Sequence, residues 1–312
     1  MNADQKPRRL LLPIDGSKRS LDTVRYVTQI KPFHQMHVVL RHVFSGVPEA
    51  YWDLEKAPKS VKTVPYVRAW QSEQRRRMQE YMQKARQILL QAGFRDDAVE
   101  VRLQDRKKDI AHDIVREAHE GYHAVIARRR GMTALRGIVL GGVATRLLEK
   151  LTFVPLILAG RKPPGHKILV AFDGSAGAMQ AVEFVGSTLG GADFELGLIH
   201  VIRTGAETEA ANTKFFLPQE FTDSTTKVMM AGFDRAKARL AQYGFQPDHI
   251  ATKITTGVRS RAGAITQEAE QQGYGTIVLG RRGLSRVREF FIGRVTNKVV
   301  HMARDRTVWI VR

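Results

Sequence analysis

Apolar and polar positions along this 312-residue chain follow two periods that alternate from end to end. Residues 9–14, 37–43, 99–103, 123–127 and 154–158 form short runs rich in Val, Ile and Leu and read as strands. Between them, 18–30, 68–92, 109–120 and 142–150 carry apolar residues at helical spacing. Strands that alternate with helices predict βαβ units, right-handed crossovers and a parallel sheet covered on both faces.

The same sentence is then written again. Arg9-Leu-Leu-Leu-Pro-Ile-Asp-Gly-Ser17 returns as Lys167-Ile-Leu-Val-Ala-Phe-Asp-Gly-Ser175, 158 residues on, and the run ending His42-Val43 returns as the run ending His200-Val201. Gly121-Tyr122 pairs with Gly273-Tyr274, Gly131 with Gly283 and Gly141 with Gly293, each 152 apart. The duplication predicts two domains, 1–160 and 161–312, joined by Arg161-Lys-Pro-Pro-Gly-His166. The expected fold class is α/β: two Rossmann-like doubly wound domains, each a five-stranded parallel sheet flanked by helices. They are expected to pack as an intrachain pseudo-dimer with the last strands of the copies meeting near the pseudo-two-fold; a further homodimer stays open. Two inserts follow the second strand of each copy, Phe44–Ala69 and Arg203–Thr226, and are expected to pack between domains rather than to act as lids.

The second copy holds the stretch around which function is read. Thr276–Leu279 is a strand, Gly280 ends it, and Gly283 opens a loop closed by Gly293, after which Val295, Val299 and Val300 recur at helical spacing. A glycine loop between a strand and a helix start suits phosphate, because backbone N–H groups approach the anion and the helix end carries partial positive charge. It is not a Walker loop, since no Gly-Lys-Ser/Thr follows.

An Ile-Leu-Val-x-x-Asp-Gly-Ser strand (Ile168–Ser175), a Leu-x-His-Val strand (Leu198–Val201) and Gly-x2-Gly-x9-Gly (Gly280, Gly283, Gly293) resemble the universal stress protein family in its tandem form. The resemblance implies an adenine nucleotide alpha hydrolase-like fold and a stress-response binding or adaptor role with ATP or another adenine nucleotide in the second domain. It implies that Asp173 recognises adenine, that Val201 lies by the base and Gly257 by the ribose, and that Gly280, Gly283, Gly293, Arg294, Val295 and Thr296 hold phosphates. Nucleotide-binding members carry Ser or Thr where Arg294 stands; its guanidinium either clamps a phosphate or fills the site itself. In the first copy Asp15, Val43, Gly131, Gly141 and Gly142 form the weaker candidate site. There Arg128 replaces Gly280 and Arg106 replaces Gly257, putting side chains where a backbone must come close. The Arg128-Arg-Arg130 run reads as an anion patch at the crevice mouth or a solvated loop.

Composition narrows the alternatives. Lys and Arg number 50 against 31 Asp and Glu, a net charge of +19 spread over both halves. Such a field attracts an anionic partner, whether nucleic acid, acidic protein or lipid, and the competing expectation is a protein that binds no nucleotide and uses this surface instead. With no cysteine, thiolate catalysis, disulfides and cysteine zinc sites are excluded. No apolar signal core or 20-residue apolar run is seen, so a cytoplasmic protein is expected. His112, His119 and His123 are read as a solvated helix rather than a metal site, and His42 and His200 as structural. The Arg75-Arg-Arg77 run reads as a solvated helix face. No catalytic residue and no metal are expected beyond Mg2+ carried by a nucleotide, and slow ATP turnover through Asp15 or Asp173 stays open.

Overall fold

The computed structural model describes residues 7–46, 63–129, 140–203, 205–208, 213–216, 219–283, 292–303 and 305–312. The first half runs β1 (Arg9–Pro13), α1 (Lys18–Thr28), β2 (His37–Phe44), α2 (Thr63–Gln91), β3 (Val99–Asp105), α3 (Ile110–Ala118), β4 (Ala124–Arg128), α4 (Gly142–Lys150) and β5 (Leu156–Ala159). The second runs β6 (Lys167–Ala171), α5 (Ala176–Leu189), β7 (Glu195–Val201), β8 (Gly205–Thr208), β9 (Thr213–Phe216), α6 (Gln219–Ala241), β10 (Ile250–Thr255), α7 (Arg261–Gln271), β11 (Thr276–Gly280), α8 (Arg294–Met302) and β12 (Thr307–Val311).

The repeated Asp-Gly-Ser is the turn from the first strand into the first helix of each half. Gly16 and Gly174 take φ of 79° and 77°, a region that costs a side chain dearly, and the serine after each caps the helix. Ser17 accepts from Ser20 N and Ser175 from Ala178 N. The second strand is tied back to the first by a histidine. His42 Nδ1 lies 2.7 Å from Ile14 O and His200 Nδ1 2.9 Å from Phe172 O, and burial lowers the pKa of both rings.

All ten long strands form one sheet in the order β10-β7-β6-β11-β12-β5-β4-β1-β2-β3. Each half is parallel, and the halves join where β12 pairs antiparallel with β5, Trp309 opposite Ile157. This central pairing leaves neither half an open edge there. Side chains alternate between the two faces. Leu10 and Leu12 enter a core beneath α1, α2, α5 and α6, while Leu11 enters the other beneath α3, α4, α7 and α8. Each core spans both halves. Trp309, fully buried, donates from Nε1 to Tyr26 OH at 2.8 Å and packs near Phe33 and Phe184.

Two arginines cross the junction reciprocally, each placed just after the fourth strand of its half. Arg129, 5% exposed, donates to Val300 O in α8 and to Arg306 O at 3.0 Å. Arg281, 3% exposed, donates to Leu148 O, to Glu149 O at 3.0 Å and to Leu151 O at 3.1 Å. Arg281 thus satisfies carbonyls at the C-terminal end of α4, and Arg129 one carbonyl in the last turn of α8 and one beyond it, each at the negative end of the helix dipole. Burial pushes both groups down to about 10, so both stay charged at neutral pH.

Three expectations change. The helix expected over 68–92 starts at Thr63, inside the first insert, with Pro65 in the first turn where a missing N–H costs nothing. The second insert forms the antiparallel ribbon β8–β9 and then the start of α6. Most of the first insert, including Trp52, lies outside the described residues, as do Arg130 and Gly131. Arg128 and Arg129 are neither a solvated loop nor an anion patch. Arg128 Nη1 donates to Gly160 O at 2.7 Å and its other arm lies 3.5 Å from Asp22, while Arg129 belongs to the junction.

Candidate functional site

In each half the first and fourth strands are neighbours while the chain leaves them in opposite directions, the place where doubly wound sheets open a crevice at the strand carboxyl ends. In the second half this crevice is a cavity of about 370 Å³. Its apolar end is made by Ile199 and Val201 from β7, Ile265 from α7 and Leu279 from β11. Its polar end is made by Asp173 after β6, by Arg282 and Gly283 after β11, and by Gly293, Arg294, Val295 and Thr296 at the start of α8.

Gly293 is the N-cap of α8, and the first bond within the helix runs from Asn297 N to Gly293 O at 2.9 Å. The first turn of α8 presents backbone N–H groups that the helix itself does not use, together with the positive end of its dipole. The loop is clamped from below: Gly293 N donates to Arg281 O at 2.8 Å, and Thr296 Oγ1 donates to Gly280 O at 2.9 Å. Thr296 is buried, and its hydroxyl proton serves β11 rather than the cavity.

Two glycines are required by close packing. A Cβ on Gly280 would stand 2.6 Å from Gly177 C and 2.7 Å from Gly177 O, so the glycine lets the first turn of α5 lie against the strand end. A Cβ on Gly283 would collide with Asp173 Oδ2. The Asp173 carboxylate therefore sits against the loop, with Oδ1 accepting from Ser175 N at 3.0 Å.

Of the residues singled out in the second copy, Asp173, Val201, Gly280, Gly283, Gly293, Arg294, Val295 and Thr296 all line the cavity. Gly257 does not, among the residues described there. It turns with φ of 74° after β10, and Ser260 then caps α7 so that Arg261 reaches the cavity. Arg261 Nε donates to Val201 O at 3.2 Å. The spacing of the glycines carried no sign of Arg261, which stands on a helix start that a cap residue alone announces.

The first half departs at matching places. Asp15 Oδ1 accepts from Ser17 N at 3.0 Å and Ser17 Oγ at 2.7 Å, and Gly141 caps α4, whose first residue is Gly142. Val43 ends β2 as Val201 ends β7. Where Ile199 floors the second cavity, Arg41 is buried in an ion pair with Glu117 at 2.7 Å. Arg128 stands where Gly280 lets helix and strand meet, Arg19 where Gly177 stands, and Ala144 where Thr296 holds the strand. His119 stacks on Phe153 at 3.8 Å and His123 on Phe184 at 4.9 Å, so the three histidines do not converge. Among the described residues no group of three His, Cys, Asp or Glu could hold a metal, and no helix is long and apolar enough to cross a membrane.

The Universal stress protein family model matches the chain twice, over residues 6–157 and 165–312. A universal stress protein of Mycolicibacterium smegmatis is 22% identical over 310 residues, covering 97% of this chain and 96% of that protein. Universal stress protein YxiE of Bacillus subtilis is 29% identical over 143 residues, 44% of this chain and 93% of its own length. Among solved structures, a universal stress protein from Archaeoglobus fulgidus superposes over 99% of both chains with a TM-score of 0.64 at 20% identity. A protein of unknown function from Pseudomonas aeruginosa covers all of this chain and 94% of its own with a TM-score of 0.56 at 16% identity. With two matches that together span nearly its whole length, the chain belongs to the universal stress protein family and is a tandem member of it.

Proposed function

We propose that this tandem universal stress protein is a stress-response binding protein whose second half, residues 161–312, takes ATP or another adenine nucleotide, while the first half serves as its structural partner. The observation that carries the reading is the second-half cavity, where an apolar floor and a helix start flanked by Gly283, Gly293, Arg282 and Arg294 lie within one space of about 370 Å³. A purine suits the Ile199, Val201 and Ile265 end, and phosphates suit the first turn of α8. Arg294 at that turn supports a phosphate clamp rather than a blocked site, since the cavity persists with the arginine in its wall.

Binding rather than turnover is the role these groups support. The titratable groups lining the cavity besides its arginines are Asp173 and His200. The His200 ring is committed through Nδ1 to Phe172 O. Neither arrangement orients a water for attack. The first half is assigned no ligand because Arg41 and Arg128 stand where the second half has Ile199 and Gly280. Scanning fluorimetry of the nucleotide-stripped chain tests the reading: a saturable rise in Tm with ATP, lost in Arg294→Ala, is expected. No shift at millimolar ATP would sink it.

A further inference from the structure

Resting on that nucleotide reading, we infer that Arg261 is a base-positioning residue: its guanidinium lies against the purine and leaves the phosphates to Arg282 and Arg294. These three arginines line the cavity but reach it from different elements. Arg282 follows β11 and Arg294 starts α8, beside the glycines that suit phosphate. Arg261 starts α7, which follows β10, and in the sheet order β10-β7-β6-β11 two strands separate β10 from β11. With neighbouring strands about 4.8 Å apart, the two approaches begin roughly 14 Å from each other. What Arg261 meets is the apolar end. Its Nε donates at 3.2 Å to the carbonyl of Val201, the last residue of β7, and Ile265, one helical turn on, enters the same wall.

Arg261 is also a residue that the helix alone does not ask for. It takes the first position of α7, directly after the Ser260 cap, where a cation meets the positive end of the helix dipole. The first half places Ile110 at the matching position of α3, after the Asp109 cap. A local rule broken beside the cavity and kept at the equivalent place in the other half is the mark of a side chain held there for a ligand. The chemistry suits a base. A guanidinium is planar, stacks on aromatic faces and donates in a fixed fork, and a purine offers both a π face and ring nitrogens that accept. The bond to Val201 O anchors the group at the end of β7, so less ordering is needed when the ligand enters.

Calorimetric titration of the nucleotide-stripped full chain with AMP, ATP and inorganic triphosphate tests this, in the unmutated chain and in Arg261→Met, Arg261→Lys and Arg294→Gln. Arg261→Met is expected to weaken AMP and ATP by the same factor, about tenfold, and to leave inorganic triphosphate, which has no base, unchanged. Arg261→Lys keeps the charge but not the plane and is expected to be nearly as weak for both nucleotides; it carries the test if the methionine impairs folding. In Arg294→Gln the advantage of ATP over AMP is expected to collapse instead. Weaker triphosphate binding in Arg261→Met would make this arginine a phosphate ligand or a prop of the wall, and full rescue by lysine would reduce it to a point charge. Either result, or unchanged nucleotide affinity, overturns the inference and leaves the nucleotide reading standing. No heat from AMP or ATP in the unmutated chain would remove that reading as well.

Discussion

Replacing Arg281 by methionine removes a buried cation that serves the partner half rather than its own. Three of its hydrogen bonds end on Leu148 and Glu149 in the last turn of α4 and on Leu151, its C-cap. Those acceptors have no partner further along the helix, and each one stranded away from water costs about 1–3 kcal/mol. The interaction of the cation with the helix dipole adds up to about 2 kcal/mol. Against this stands the desolvation of the guanidinium, visible in its lowered pKa of about 10, which the methionine no longer suffers. The net expectation is a loss of about 3 kcal/mol, or a fall in Tm of about 5 °C for a unit of this size. Lysine, a single point charge, is expected to recover part of it. Urea denaturation followed by far-ultraviolet circular dichroism measures the loss, with unchanged m-values showing that cooperativity is kept. A change below about 1 kcal/mol in Arg281→Met would refute the reasoning, because it would mean the α4 carbonyls find water or other partners at no cost.

Other outcomes follow from single contacts. Gly280→Ala places a methyl against the Gly177 backbone, which cannot swing aside as a side chain can, so a loss of about 1–3 kcal/mol in urea denaturation is expected. Burial and the Arg8 charge push His123 down to about 4, and its ring bridges the halves at 2.8 Å from Thr188 Oγ1. The unfolded chain takes up this proton near pH 6.5 and the folded one does not. Stability is therefore full above that pH and falls by about 3 kcal/mol as pH drops toward 4. His123→Gln should flatten that part of the pH profile, and an unchanged slope would assign the loss to other groups. Trp309→Phe keeps a ring in the core but leaves part of the buried indole volume empty and removes the Nε1 donor to Tyr26 OH, so a cost of about 2–3 kcal/mol is expected in the same denaturation assay.

The repeat, the strand–helix alternation and the loop glycines are legible in the sequence because each depends on local chemistry. Gly174 must turn with positive φ, Ser175 must cap, and the runs at 168–171 and 276–279 must be buried wherever the halves go. What escaped were side chains whose purpose lies in the other half. Arg129 and Arg281 look like members of surface runs, and nothing nearby in sequence says that each reaches the far helix. Arg261 is hidden for a similar reason: it lines the cavity because Ser260 starts α7 there, and no glycine spacing announces that. The ribbon β8–β9 carried no Asn-Gly or Asp-Gly turn to announce it. Gly280 lines the cavity, and its missing side chain also makes room for the backbone of α5, a second use that the sequence does not announce.

The most direct measurement of the central claim is calorimetric titration of the nucleotide-stripped chain with ATP, repeated with Asp173→Ala and with Asp15→Ala. These two residues occupy the same place in the two repeats, so they separate the halves without changing anything else in kind. One site per chain is expected, weakened at least about tenfold by Asp173→Ala and left alone by Asp15→Ala. Two equal sites, or a single site that answers to Asp15 and ignores Asp173, would contradict the account.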